Sequence, residues 1–150
     1  MAIAQAEEET RKLVALLGGA KVFPGKIKNA RDFQEALRAG FPYASFEALV
    51  AALELSSRDL AQIVGLAVRT LARRKTSQVL SPIESDRLYR VARATLQAST
   101  VLGSLEKGRA WLHSANQALG GESPVGQLDT EIGERQVEEL LNRINYGILS

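Results

Sequence analysis

The sequence contains no cysteine and only one histidine, His113. The first absence removes disulfides, thiol nucleophiles and thiolate metal sites together, and it suits a reducing cytosol. The second leaves His113 without a partner for a metal site, so beside Leu112 on a predicted helix it reads as a surface histidine. Long apolar runs are missing as well. The N-terminus, "MAIAQAEEETRKLVALLGG", opens with acids and offers a five-residue apolar run, which is not the basic start and longer apolar centre of a signal peptide. Nothing approaches the roughly 20 apolar residues that span a bilayer, so a cytoplasmic protein with no membrane partner is expected. The glycines of "LGGAKVFPGK" lack the GK[ST] ending of a phosphate-binding loop, and no G-x-S-x-G is present. Serines and aspartates have no partner base. No catalytic residue, metal or cofactor is expected, and the chain reads as a protein that binds rather than one that catalyses.

Strand patterns are nearly absent too, and what remains is helix after helix in an all-α chain. With 45% hydrophobic residues over 150 positions, a core is expected without staples. Periodicity predicts helices over 4–17, 31–39 and 46–54, the last capped by Ser45 with Phe46, Leu49, Val50 and Leu53 on one face. In "SPIE", Ser81 caps, Pro82 takes the first helical position and Glu84 reaches back, opening a helix to about residue 102. Its stripe is Leu88, Val91, Ala92, Thr95, Leu96, Ser99 and Leu102. A helix over 104–119 follows, with Trp111, Leu112, Ala115 and Leu119 inward, then a short turn behind Ser123-Pro124. The final helix runs from about Glu131 to Tyr146, packs through Val137, Leu140, Leu141 and Ile144, and ends at Gly147. Glu134, Glu138 and Glu139 are spaced like a solvated face.

The net charge of +2 argues for no partner, but its distribution is uneven. From Arg58 to Lys75 there are five basic residues against one acid, Asp59. That region, "SSRDLAQIVGLAVRTLARRKTSQ", also has the spacing of a helix-turn-helix. Such a pair needs a small residue where the helices touch, a glycine at the turn and apolar locking residues. With Ser57 as the first position, Ala61 takes the contact place and Gly65 the turn, while Leu60, Val64, Leu66 and Leu71 lock the pair. The second helix, roughly Val68 to Lys75, then turns Val68 and Leu71 inward and leaves Arg69, Thr70, Arg73 and Arg74 outward. Arginine donates two hydrogen bonds to guanine, and Thr70 or Lys75 suits phosphate. One departure stands against this: Ala67 lies where a Ser or Thr usually caps the recognition helix. A solvated amphipathic hairpin is the bland alternative.

The stretch from Trp111 to Ser150 carries "ANQALGG", "SPVGQLDTEIGERQVEELLNRINYG" and a three-residue end. In that order these motifs resemble the toxin-binding domain of the MbcA/ParS/Xre antitoxin family, and 46–110 looks like its Xre-like helix-turn-helix and connecting helices. The organisation so expected is an extension over 1–45, a helix-turn-helix region over 46–80, a connecting helix over 81–102 and a toxin-binding domain over 103–150. The resemblance implies a bacterial antitoxin that neutralises a RES-domain, NAD-consuming toxin and represses its own operon by binding operator DNA. A homodimer is expected because two-fold operators usually match two-fold proteins, with a larger assembly when the toxin is bound. Toxin contact falls by the same resemblance on Arg143, Asn145, Tyr146, Gly147, Ile148, Leu149 and Ser150. The alternatives are a helix-turn-helix regulator with no toxin, a toxin-binding module that has lost DNA binding, and an apolar end that folds back on its own bundle.

Overall fold

The computed structural model describes residues 2–25 and 27–147. Eight α-helices follow in order: α1 (Ala2–Leu16), α2 (Ala30–Ala39), α3 (Tyr43–Leu53), α4 (Ser57–Ile63), α5 (Val68–Ser77), α6 (Pro82–Leu102), α7 (Leu105–His113) and α8 (Glu131–Asn145). Three 3-10 turns, at Gly19–Lys21, Gln117–Leu119 and Val125–Gln127, complete the described elements. The fold is all-α. Extended pairing among the described residues amounts to one antiparallel bridge, Pro42 with Val79. No described helix is long and apolar enough to cross a membrane.

Two compact units divide within α6, one up to Ala92 and the other from Arg93. The core of the first unit is aromatic at its centre. Phe33 of α2, Phe41 before α3 and Phe46 of α3 are all shielded from solvent. The Phe23 ring meets Phe41 edge-on at 5.2 Å, and Phe33 meets Tyr89 at 5.1 Å, the geometry that aromatic quadrupoles favour. Leu13 and Leu17 join them, so the N-terminal segment completes this core.

Short-range signals set the helix ends. Ser56 accepts from the Asp59 N–H to start α4, and Asn29 does the same with Asp32 at α2. Ser45, expected to cap α3, lies inside that helix, fully buried, with Oγ donating to the Pro42 carbonyl at 2.7 Å. The helix begins earlier because Pro42 brings its extended backbone up to Tyr43. Gly40 lets the chain cross close to the 78–80 segment: its φ is 90°, and a Cβ there would sit 2.3 Å from the Leu80 carbonyl oxygen.

In the second unit the single helix expected over 104–119 is interrupted. After His113, Ser114 turns extended and Asn116 caps a separate 3-10 turn, with Oδ1 accepting from the Ala118 N–H. Ala115 is therefore exposed rather than inward. Asn and Ser offer the backbone such local bonds in place of helical ones. Helix α6 is buried on a broader face than its stripe suggests, with Ala94 and Ala98 covered beside Thr95.

Gly108 explains part of that breadth. Its missing Cβ would lie 2.7 Å from the Ser99 nitrogen and 2.8 Å from the Ala98 carbonyl carbon, so α7 rests directly on the α6 backbone. Alanine for glycine in a helix ordinarily stabilises by about 1 kcal/mol. At Gly108 the sign should reverse: Gly108→Ala should destabilise by about 1–3 kcal/mol as the helices are forced apart, read by urea denaturation.

Candidate nucleic-acid interface and C-terminal partner site

Helices α4 and α5 meet across Val64–Ala67. Leu60, Ala61, Val64 and Leu66 are buried at the junction, and Ala61, at the expected contact place, is almost wholly covered. Gly65 adopts φ 74°, the left-handed conformation expected at the turn. The Leu66 N–H donates to the Ala61 carbonyl at 2.7 Å. From α6, Arg87 Nη1 donates to the Val64 carbonyl at 3.4 Å, closing the turn from behind.

Helix α5 starts at Val68 with Ala67 as its N-cap and no side-chain cap bond. It forms nonetheless because Leu66, immediately upstream, is anchored in the core. Along α5 the half-buried positions are Thr70, Leu71 and Arg74, and the exposed ones are Val68, Arg69, Ala72, Arg73, Lys75, Thr76 and Ser77. Two placements correct the sequence expectation. Val68 is not inward: it is 61% exposed, because Leu66, two residues before it, already fills the inward place. Arg74 is not on the outer face. Its Nε donates to Glu84 Oε1 at 2.8 Å and its Nη2 to Oε2 at 3.1 Å, a two-pronged clamp across ten residues.

Glu84 has a second task. The Ser81 N–H donates to Glu84 Oε1 at 2.8 Å while the Glu84 N–H donates to Ser81 Oγ at 3.2 Å, the reciprocal capping box expected of "SPIE". Burial works to raise the Glu84 carboxyl, but the Arg74 guanidinium and the Ser81 N–H outweigh it and hold the group below its ordinary value. The end of α5 is thus pinned to the start of α6, leaving Arg69, Arg73 and Lys75 exposed on a helix that carries no acid.

In the second unit, α8 begins with Thr130 accepting from the Gly133 N–H. Glu134, expected on a solvated face, is buried, and its Oε1 accepts from Arg93 Nη2 at 2.9 Å. Gln97 Nε2 reaches Asn142 Oδ1 at 3.2 Å. With Val137, Leu140 and Leu141 these contacts hold one side of α8 inward. At its far end Arg143, Asn145, Tyr146 and Gly147 are exposed, Tyr146 at 74%. The Gly147 N–H closes on the Ile144 carbonyl at 3.1 Å, with φ 69°. Ile148, Leu149 and Ser150, expected to contact toxin, lie outside the described residues. Periodicity had not marked Ile132, which is 73% exposed in the first turn of α8. Among the described residues no three His, Asp or Glu side chains are grouped so as to hold a metal.

The fold and these surfaces define a helix-turn-helix protein with an appended small helical domain. Residues 32–93 match the antitoxin Xre-like helix-turn-helix domain, and 97–147 match the antitoxin Xre/MbcA/ParS C-terminal toxin-binding domain. The chain belongs to the Xre/MbcA/ParS antitoxin family. It is 40% identical over 87 residues to an antitoxin Xre of Pseudomonas putida, covering 57% of this chain and 54% of that protein. Against an antitoxin Xre of Yersinia enterocolitica it is 28% identical over 119 residues, covering 77% and 80%. One from Photorhabdus laumondii is 32% identical over 94 residues, covering 61% and 64%. The match thus spans about half the length of the Pseudomonas putida relative.

Removing Arg74 from the clamp leaves the buried Glu84 charge without its partner. Arg74→Ala should cost about 1.5–3 kcal/mol at neutral pH, seen as an earlier urea midpoint. Because the Glu84 pKa is depressed on folding, its contribution is full above the ordinary value of 4.5 and is lost as pH falls through the lower folded value. Urea titrations from pH 7 to pH 3 should show the gap between wild type and Glu84→Gln closing over that acid range.

Proposed function

We propose that this protein is an antitoxin that neutralises a RES-domain, NAD-consuming toxin by covering its active site and represses its own operon through α5. It acts by occupying surfaces, without a catalytic step. The observation that carries the reading is the pairing, in one chain, of an acid-free helix with an exposed basic face and a C-terminal region matching the toxin-binding domain. On the DNA side, Arg69, Arg73 and Lys75 make the contacts, with Thr70 at the edge of the face. Arg74, first grouped with them, serves as the brace that orients α5. On the toxin side the binding surface is Arg143, Asn145, Tyr146 and Gly147, continued by Ile148, Leu149 and Ser150. Homodimerisation follows from the two-fold symmetry of operators, and a larger assembly forms when toxin binds.

Co-expression with the neighbouring reading frame tests the toxin half: the two proteins should purify together, and separate elution would remove it. Arg69→Ala with Arg73→Ala should abolish retardation of the protein's own promoter DNA while cells remain protected from the toxin. Deleting Tyr146 to Ser150 should do the reverse. Arg74→Ala, assayed well below its melting temperature, should leave the salt dependence of DNA binding unchanged. Each lost phosphate contact would instead reduce the slope of log K against log salt by about 0.9.

A further inference from the structure

Helix α5 carries an apolar feature that its cations do not explain. Val68 is 61% exposed in its first turn, and Ala72, one turn later on the same side, is exposed as well. Residues four apart on a helix are surface neighbours, so Val68 and Ala72 form a short strip of methyl groups. Arg69 and Arg73 run beside that strip in parallel, also four apart, and Lys75 stands on its other flank. An exposed valine at the start of a ten-residue helix is not needed for packing, since the buried Leu66 already secures that end.

A duplex presents one apolar group in its major groove, the C5-methyl of thymine, and guanine beside it presents two acceptors to an arginine fork. The N-terminal residues of a recognition helix are those that reach base edges. We infer that Val68, backed by Ala72, is a specificity-determining residue that packs on thymine methyl groups in operator DNA, with Arg69 or Arg73 reading an adjacent guanine. This rests on the DNA-binding half of the reading above and adds which base chemistry α5 selects. The flanking cations make a nucleic acid the fitting occupant: a protein partner on this strip would have to neutralise Arg69, Arg73 and Lys75 together.

The test uses the full chain and its own promoter DNA, amplified once with thymidine triphosphate and once with deoxyuridine triphosphate, which removes only the methyl groups. Wild type should prefer the thymine duplex by about fourfold for each methyl covered. Val68→Ala should lower that preference towards unity, and Val68→Thr, which keeps one methyl, should retain part of it. Because Val68 is exposed, both variants should melt with the wild type, and the thymine-to-uracil ratio within each variant cancels any residual loss of folded protein. A ratio of one for wild type, or an undiminished ratio for Val68→Ala, overturns the inference while leaving operator binding in place. No retardation of the thymine duplex even at low salt overturns both.

Discussion

One carboxylate, Glu84, fixes the junction on which the first unit's surface depends. It accepts the Ser81 N–H that opens α6 and both prongs of the Arg74 guanidinium that closes α5. Around it the backbone is equally constrained. The Leu80 N–H donates to the Phe41 carbonyl and the Tyr43 N–H to the Gln78 carbonyl, which makes the lone extended bridge. Ser85, fully buried, accepts from the Phe41 N–H at 2.8 Å and donates to the Ser81 carbonyl at 2.7 Å. Each buried polar group in this cluster therefore has a partner, the condition under which burying it is tolerable.

From that junction follows the polarity of α5. A helix fixed at its start by Leu66 and at its end by Arg74 cannot rotate about its axis. Thr70, Leu71 and Arg74 are held on the inner side, and Val68, Arg69, Ala72 and Arg73 face outward. Packing alone would do this weakly, since no residue of α5 is fully buried. The arginine clamp supplies the angular restraint that a short polar helix otherwise lacks.

Local chemistry made much of this legible. The limits of α6 follow from Ser81, Pro82 and Glu84 at one end and Gly103 at the other, and the turn at Gly65 follows from a conformation that glycine adopts without strain. The errors share a different origin. Glu134 looked solvated, and Arg74 looked like its exposed neighbours, because their partners lie 41 and 10 residues away and periodicity sees only one helix at a time. Val68 has the spacing of an inward residue within its helix, but the anchor is Leu66 before the helix starts. The break after His113 was missed because Trp111, Leu112, Ala115 and Leu119 keep helical spacing across a segment where Asn116 prefers a local bond. Of the candidate surfaces, the residue types were readable, but which arginine was already engaged was not.

The two units solve the same problem alike. Each holds its candidate helix to its own stretch of α6 through an arginine and a buried glutamate: Arg74 with Glu84 for α5, Arg93 with Glu134 for α8. Such a pair adds little net stability over apolar packing of the same volume, since desolvation offsets most of the attraction. What it imposes is direction, because the buried glutamate must meet its arginine or remain unpaired. An apolar seam between short helices tolerates small rotations more readily than a directed hydrogen bond, two-pronged at Arg74 and single at Arg93. Charge placed at the seam therefore fixes which side chains each helix presents outward: the basic face and methyl strip of α5, and the Arg143–Tyr146 end of α8.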